Sequence, residues 1–420
     1  MKAELSDHTI SVSDITFPLK KKAARQPVQG DSELGLCYFA VLLSSSSIGI
    51  SALAYPSSMA RSGILLWILL LALAIVVNYI SSYVLVYCGR ETKSKDFSEL
   101  TGKILGKGKV VVDFMCVALN LGIIISCIMT FNDFMTGIFQ HNYFDGVSNV
   151  IVTSKKSLFW IIFPNLLLIP ILLRKGITDM NAIAVGCVAA IVILAAFISF
   201  VFVTQSTSVD FKQLEYFNLA ESPASFSLLM FGFMNQQSIL DVFQDLRRKK
   251  IHSVDRILNY QNVMSSVLYM VIGFFGYLTF YNDQDIKSKN LFAFDLEKNL
   301  FYMIVNFTVG LSVLLSIVPT FRPTKNIIVS YFPSKDSKSA ASSNFVVTII
   351  CQLMLIIASC CFEVFDLNFL DIIDFVSIFV APTICIYLPL IFYVKISKSY
   401  RFLLLAVFVF IVNVFAIISF

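Results

Sequence analysis

The chain has 420 residues, of which 57% are hydrophobic and only 14% charged, with a formal net charge of +5. That balance excludes an ordinary soluble protein and points to a chain that crosses a bilayer many times. No basic stripe is interleaved with base-stacking aromatics, so nucleic acid is not among the expected partners and the lipid bilayer is.

Residues 1–32 read as a polar tail, because MKAELSDHTI lacks the apolar core of a cleaved signal peptide. From 33 to 420 an all-α polytopic membrane domain is expected, since windows of bilayer-crossing length recur throughout. Eleven are counted, at roughly 36–60, 63–88, 110–138, 157–173, 180–204, 224–246, 257–281, 298–318, 343–362, 370–394 and 401–419. Of the 32 Lys and Arg, 25 fall on the side of the tail and only 7 on the other. This asymmetry predicts a cytoplasmic amino terminus and, with an odd number of spans, an extracellular or lumenal carboxyl terminus. The nine cysteines contain no CxxC pair and indicate neither a disulfide framework nor a zinc site.

The first window is apolar enough for lipid, yet its middle carries Ser44, Ser45, Ser46 and Ser47, then Gly49 and Ser51, with Pro56 beyond. Small hydroxyl residues and Gly at mid-depth have two readings: a helix that unwinds around an enclosed cavity, or a small-residue surface packed on a neighbour. The sixth window repeats the feature, with Gly232 followed by Asn235, Gln236, Gln237 and Ser238. Two interrupted spans separated by four ordinary ones are what two five-helix inverted repeats produce.

A cargo with a carboxylate and an ammonium would need donors for the one and acceptors for the other, and a helix break supplies both from the backbone. Ser46, Ser47, Gly49 and Ile50 are the expected carboxylate side, with Gly49 lacking a Cβ that would block approach. Phe231, Gly232, Phe233 and Met234 offer carbonyls, and their rings either bound a side-chain pocket or serve core or lipid packing. Asn235 and Gln236 either bind a polar substrate side chain or tie two helices together. Asp113 and Asp133 lie 20 residues apart in the third window, about 30 Å of helix, so both are expected near opposite interfaces. Asp241 is either a proton-relay carboxylate or, with Asp245, Arg247 and Arg248, part of a salt-bridged vestibule. Asp371 and Asp374 either form an outer gate or face water.

Several segments resemble the amino acid/auxin permease family, and within it the sodium-coupled neutral amino acid transporters. Gly49–Tyr55 (GISALAY) resembles their first-helix GILGLSY, and Ser62-Gly63-Ile64 their TGI-like step. Phe231-Gly232-Phe233 with Ile239-Leu240 resembles their sixth-helix segment, and Phe275–Tyr281 (FGYLTFY) is the most specific match. Ser316–Pro323, Leu388-Pro389 and Ile391-Phe392-Tyr393 are similar to the ends of their eighth and tenth helices. The resemblance implies a leucine-transporter-like fold of five plus five helices with one more, the inverted repeats at about 36–204 and 224–394 and the extra helix at about 401–419, and secondary transport of amino acids. It also implies ion ligands from an Asn in helix 1 and a Thr in helix 8. Here Leu43 stands at the first position and Ser316 at the second, with Ser44 one residue away. Loss of an amide oxygen argues for proton coupling or none, with sodium symport the alternative. Ser44, Ser316 and Asp241 are therefore the ion-coupling candidates.

No HExxH, GxSxG or P-loop pattern is present and no histidine falls in a window, so neither an enzyme nor a cofactor is expected. A sensor that uses the same pocket without net flux is the alternative of another class. Plasma and vacuolar or lysosomal membranes are both compatible with the sequence.

Overall fold

A computed structural model describes residues 33–139, 158–173, 181–205, 209–245, 251–283, 286–287, 300–332, 337–365 and 374–419. The tail 1–32, Arg247, Arg248, Asp371 and the side chain of Asp245 lie outside the described residues. In chain order the helices are α1 (Glu33–Ser45), α2 (Tyr55–Ser62), α3 (Ile64–Glu91), α4 (Phe97–Leu105), α5 (Lys109–Phe139), α6 (Phe159–Leu172) and α7 (Asn181–Gln205). They continue with α8 (Ser222–Gly232), α9 (Gln236–Asp245), α10 (Ile251–Phe280), α11 (Leu300–Leu315), α12 (Ile317–Ser330) and α13 (Ser337–Val364). The last two are α14 (Val376–Ser397) and α15 (Leu403–Ser419).

Among the described residues, seven helical segments are long and apolar enough to cross a membrane, and the α1–α2 pair, bent by 63°, makes an eighth. The fourth, sixth and eleventh windows hold shorter helices: α6 with 14 residues, α8 and α9 with 11 and 10, and α15 with 17. Every window is thus helical, while the count of eleven crossings depends on these short ones.

Two packed groups enclose the middle of the protein. One comprises α1, α2, α3, α8, α9 and α10; the other comprises α5, α6, α11, α12 and α13, with α7 touching α1, α10 and α11. Polar side chains inside the first group make a chain of amides: Asn78 Nδ2 donates to Asn262 Oδ1 (2.9 Å), and Gln236 Nε2 donates to Asn78 Oδ1 (3.0 Å). A buried amide without a partner would cost more than such a bond returns, so the chain fixes the mutual register of α3, α9 and α10.

α14 contains two π-helical stretches, Val376–Val380 and Thr383–Tyr387. The final helix docks there and on α8: Asn413 Nδ2 donates to Tyr387 Oη (2.8 Å), and Ser227 Oγ donates to Asn413 Oδ1 (3.3 Å). Between the long helices, α4 begins at Asp96, whose carboxylate accepts from Glu99 N (2.7 Å) while Glu99 accepts from Lys95 N (2.8 Å). This reciprocal cap satisfies the first turn of a helix that lies beside α5.

The α2–α3 corner turns at Gly63, at φ 79°. There Ile64 N donates to Glu215 O (3.0 Å), Leu65 N to Tyr216 O (3.1 Å), and Asn218 N to Ser62 O (2.8 Å). A Cβ at Gly63 would stand 2.5 Å from the backbone of Tyr216 and Phe217. Gly63→Ala is therefore expected to destabilise the detergent-solubilised protein by about 1–3 kcal/mol, read as a lowered thermal unfolding midpoint.

Candidate functional site

Helix α1 stops because three successive hydroxyls take its last carbonyls. Ser45 Oγ donates to Leu42 O (2.8 Å), Ser46 Oγ to Leu43 O (2.7 Å), and Ser47 Oγ to Ser44 O (3.1 Å). Local bonds of this kind offer the backbone an alternative to the i−4 ladder. Gly49 is extended (φ −168°), and its N–H makes no hydrogen bond among the described residues. A 3₁₀ turn, Ile50–Ala54, then restarts the chain toward α2.

The second break lies at Phe233–Asn235. α8 closes with Phe233 N on Met230 O (3.3 Å) and Met234 N on Phe231 O (3.0 Å). Asn235 starts α9, its carbonyl accepting from Ser238 N and Ile239 N at 3.0 Å each. The freed Gly232 carbonyl accepts from Tyr269 Oη at 2.5 Å.

The breaks meet. Tyr55, at the start of α2, places its hydroxyl against the Cα of Gly232, where any Cβ would collide with it. Its ring lies 4.5 Å from that of Tyr269, which also takes Phe233 edge-on at 5.1 Å. Such aromatic pairs are each worth about 0.5–1.5 kcal/mol beyond their buried area. Gly49 faces a different neighbour: a Cβ there would meet Ser316 Oγ at 3.6 Å, an ordinary contact.

Between the breaks lies a cavity of about 30 Å³, walled by Ser46, Met234 and Asn235 from the breaks and by Asn120, Gln237 and Thr320 from α5, α9 and α12. It has room for about one water, so the space between the breaks is closed down to less than an amino acid. Gln237 and Pro323 also line a second cavity of about 260 Å³. That vestibule reaches exposed Asn326 and Ser330 on the side of α4, and Asp241 faces into it.

The opposite side is sealed. Arg61 Nη1 pairs with Asp374 Oδ2 at 2.8 Å, with side chains only 15% and 12% exposed. Arg61 Nε and Ser57 Oγ both donate to Lys287 O (3.1 and 2.6 Å), and Lys287 Nζ pairs with Glu221 (2.9 Å) and Glu215 (3.6 Å). Beneath these, Ser225 Oγ donates to Ser58 O (2.8 Å), binding α8 to α2.

The expected residues separate into groups. Ser46, Met234 and Asn235 line the small cavity; Ser47 and Gly49 are partly accessible beside it, while Ile50 is buried. Phe231 and Phe233 are core-packed, at 5% and 0% exposure. Gln236 points away and joins α9 to α3. Ser44 is fully buried, its Oγ without a partner among the described residues, and Ser316 Oγ donates to Val313 O (2.6 Å) beside Gly49. Asp113, one turn into α5, does not face solvent: it is buried and accepts from Ser98 Oγ (2.9 Å) and Tyr331 Oη (2.8 Å). Asp133 is exposed on α5.

Tyr55, Tyr269, Asn120 and Gln237 were not among the expected site residues. Two rows of i, i+4, i+8 polar residues were available as a signal: Ser47, Ser51 and Tyr55 before the first corner, and Gln261, Ser265 and Tyr269 on α10. On an unbroken helix that spacing lines one face, as it does for the second row on α10, whereas the first row is interrupted at Gly49.

Comparison with known proteins agrees with this architecture. A Na+-coupled sialic acid symporter in a substrate-bound outward-open state superposes with a TM-score of 0.58 at 13% identity, over 91% of this chain and 87% of that one. MhsT in complex with L-phenylalanine superposes with a TM-score of 0.53 at 16% identity, over 93% and 98%. These likenesses establish the leucine-transporter-like fold. In sequence, the vacuolar amino acid transporter 7 of Saccharomyces cerevisiae is 22% identical over 299 residues, covering 67% of this chain. The match spans 57% of that relative's length. Residues 35–420 match the family described as transmembrane amino acid transporter protein, so the protein is an integral membrane protein of that family.

Proposed function

We propose that the chain is a secondary carrier that moves neutral amino acids across a membrane by alternating access. The observation that carries this is the pairing of two facing helix breaks with a vestibule on one side and a sealed corner on the other. In this conformation the path runs from the α4 side toward Gln237 and stops at the small cavity. Substrate entry requires the Tyr55–Gly232 contact and the cavity walls to part, and release to the other side requires the Arg61–Asp374 corner to open. Free N–H at Gly49 suits the substrate carboxylate, and carbonyls of the Phe231–Met234 turn suit the ammonium. Absence of any Lys or Arg among the residues lining the small cavity favours a substrate with an uncharged side chain.

Residues 36–204 and 224–394 would form the inverted repeats, with 401–419 outside them. The Lys and Arg asymmetry puts the α4 side, and with it the vestibule, in the cytoplasm. The vacuolar relative favours a vacuolar membrane over the plasma membrane.

Coupling to protons, or none, is favoured by fully buried Leu43, which offers no side-chain oxygen beside the first break. Asp241, in the vestibule, is the carboxylate placed to exchange a proton along that path. Sodium symport is the second reading, supported by the unpartnered Ser44 hydroxyl and by Ser316 next to Gly49.

Two outcomes in proteoliposomes test these assignments. Gly49→Leu pushes an isobutyl group past the 3.6 Å contact with Ser316. Uptake of labelled amino acid is expected to fall at least about tenfold with the protein still in the membrane, and normal uptake would remove the proposed pocket. Replacing sodium with choline is expected to leave wild-type uptake nearly unchanged, whereas collapsing an imposed proton gradient lowers it or, for an uncoupled carrier, has no effect. Strict sodium dependence would reverse the coupling assignment.

A further inference from the structure

We infer that Gln237, held in orientation by Asn120, is a specificity-determining residue that reads an uncharged acceptor oxygen on the substrate side chain. This rests on the carrier reading above and adds to it a side-chain chemistry. Gln237 was one polar residue in a run of four, with no role distinct from its neighbours in the sequence.

Three observations converge on it. Gln237 lines both cavities, so it stands where the vestibule meets the closed space between the breaks. Its Oε1 is occupied, accepting from Asn120 Nδ2 at 2.6 Å across the junction of α9 and α5. Its Nε2 has no partner among the described residues, although the residue is only 7% exposed. Asn235, which lines the same small cavity, is 3% exposed and repeats the pattern, with Oδ1 accepting from Ser82 Oγ (3.3 Å) and Nδ2 unpartnered.

Buried N–H donors that the protein leaves unpaired select against an apolar group and for an acceptor. The small cavity has Ser46, Thr320 and these amides in its wall but no cation to neutralise a carboxylate. A side-chain amide or hydroxyl therefore fits, and an aliphatic or anionic side chain of similar size does not. Gln236, one residue away, cannot do this, because its amide is committed to Asn78 and to Asn235 N. Asn120 acts through Gln237: by donating to Oε1 it turns Nε2 away from itself, which makes it a positioning residue.

The test uses isosteric pairs, O-methylserine against norvaline and O-methylthreonine against isoleucine, whose ether oxygens accept and cannot donate, as half-saturation constants in proteoliposomes of the full chain. Wild type is expected to prefer the acceptor-bearing member by about tenfold, the factor one neutral hydrogen bond supplies. In Gln237→Met the ratio falls toward one. Gln237→Glu keeps the size and the acceptor for Asn120 but loses the donor, and is expected to lose the preference as well. Asn120→Asp puts an acceptor where the donor stood, so the Gln237 amide turns over and the ratio again falls, an effect that a merely structural role of Asn120 would not produce. Equal handling of both members by wild type, or an unchanged ratio in the two Gln237 variants, would overturn the donor assignment alone. Failure to transport any amino acid would overturn the carrier reading and this inference with it.

Discussion

A helix interrupted within a membrane leaves peptide groups that lipid cannot satisfy, and the rest of this structure is arranged around that constraint. At the first break the solution is local. Three serine hydroxyls cap the carbonyls of Leu42, Leu43 and Ser44, so α1 ends without help from a neighbour. At the second break it is borrowed: Tyr269, from α10, reaches the Gly232 carbonyl, and the Gln236 side chain accepts from Asn235 N. The first break can therefore keep its shape while its surroundings move, whereas the second is tied to the positions of α3 and α10.

That difference accounts for the asymmetry of the molecule. Around the sealed corner, α2 and α8 are joined through Ser58 and Ser225, and the 209–221 segment hydrogen-bonds across the α2–α3 turn. On the other side, α4, α5, α9 and α12 border a cavity of about 260 Å³ that these bonds do not cross. Asp113 holds the rim by accepting from Ser98 and Tyr331, which links α4, α5 and the end of α12. A carboxylate that shallow in sequence hydropathy earns its burial from two hydroxyl donors and Lys109 at 3.8 Å.

Both breaks were legible in the sequence because runs of Ser, Gly and amides inside apolar windows break the pattern of a spanning helix. The leucine-transporter-like fold was implied by the family resemblance, with which the spacing of the breaks is compatible. What was not legible is which side chains each break would face. Tyr55 and Tyr269 sit in ordinary helical positions, and only the crossing of α2, α8 and α10 brings both against Gly232. Likewise Asn235, Gln236 and Gln237 are consecutive and chemically alike, yet helical rotation sends them to Ser82, Asn78 and Asn120 respectively. Reading them as a block merged a helix tie with a cavity wall. The burial of Asp113 was hidden for the same reason, since Tyr331 lies 218 residues away.

The sealed corner also has an electrical character. Arg61 and Asp374 meet at 2.8 Å, so the pair carries no net charge into whatever part of the membrane field it occupies. Voltage acts on net displaced charge, at about 2.3 kcal/mol per elementary charge per 100 mV. While the pair stays together the field does almost no work on it, so polarising the membrane acts on that ion pair only through the charges that separate when the corner opens.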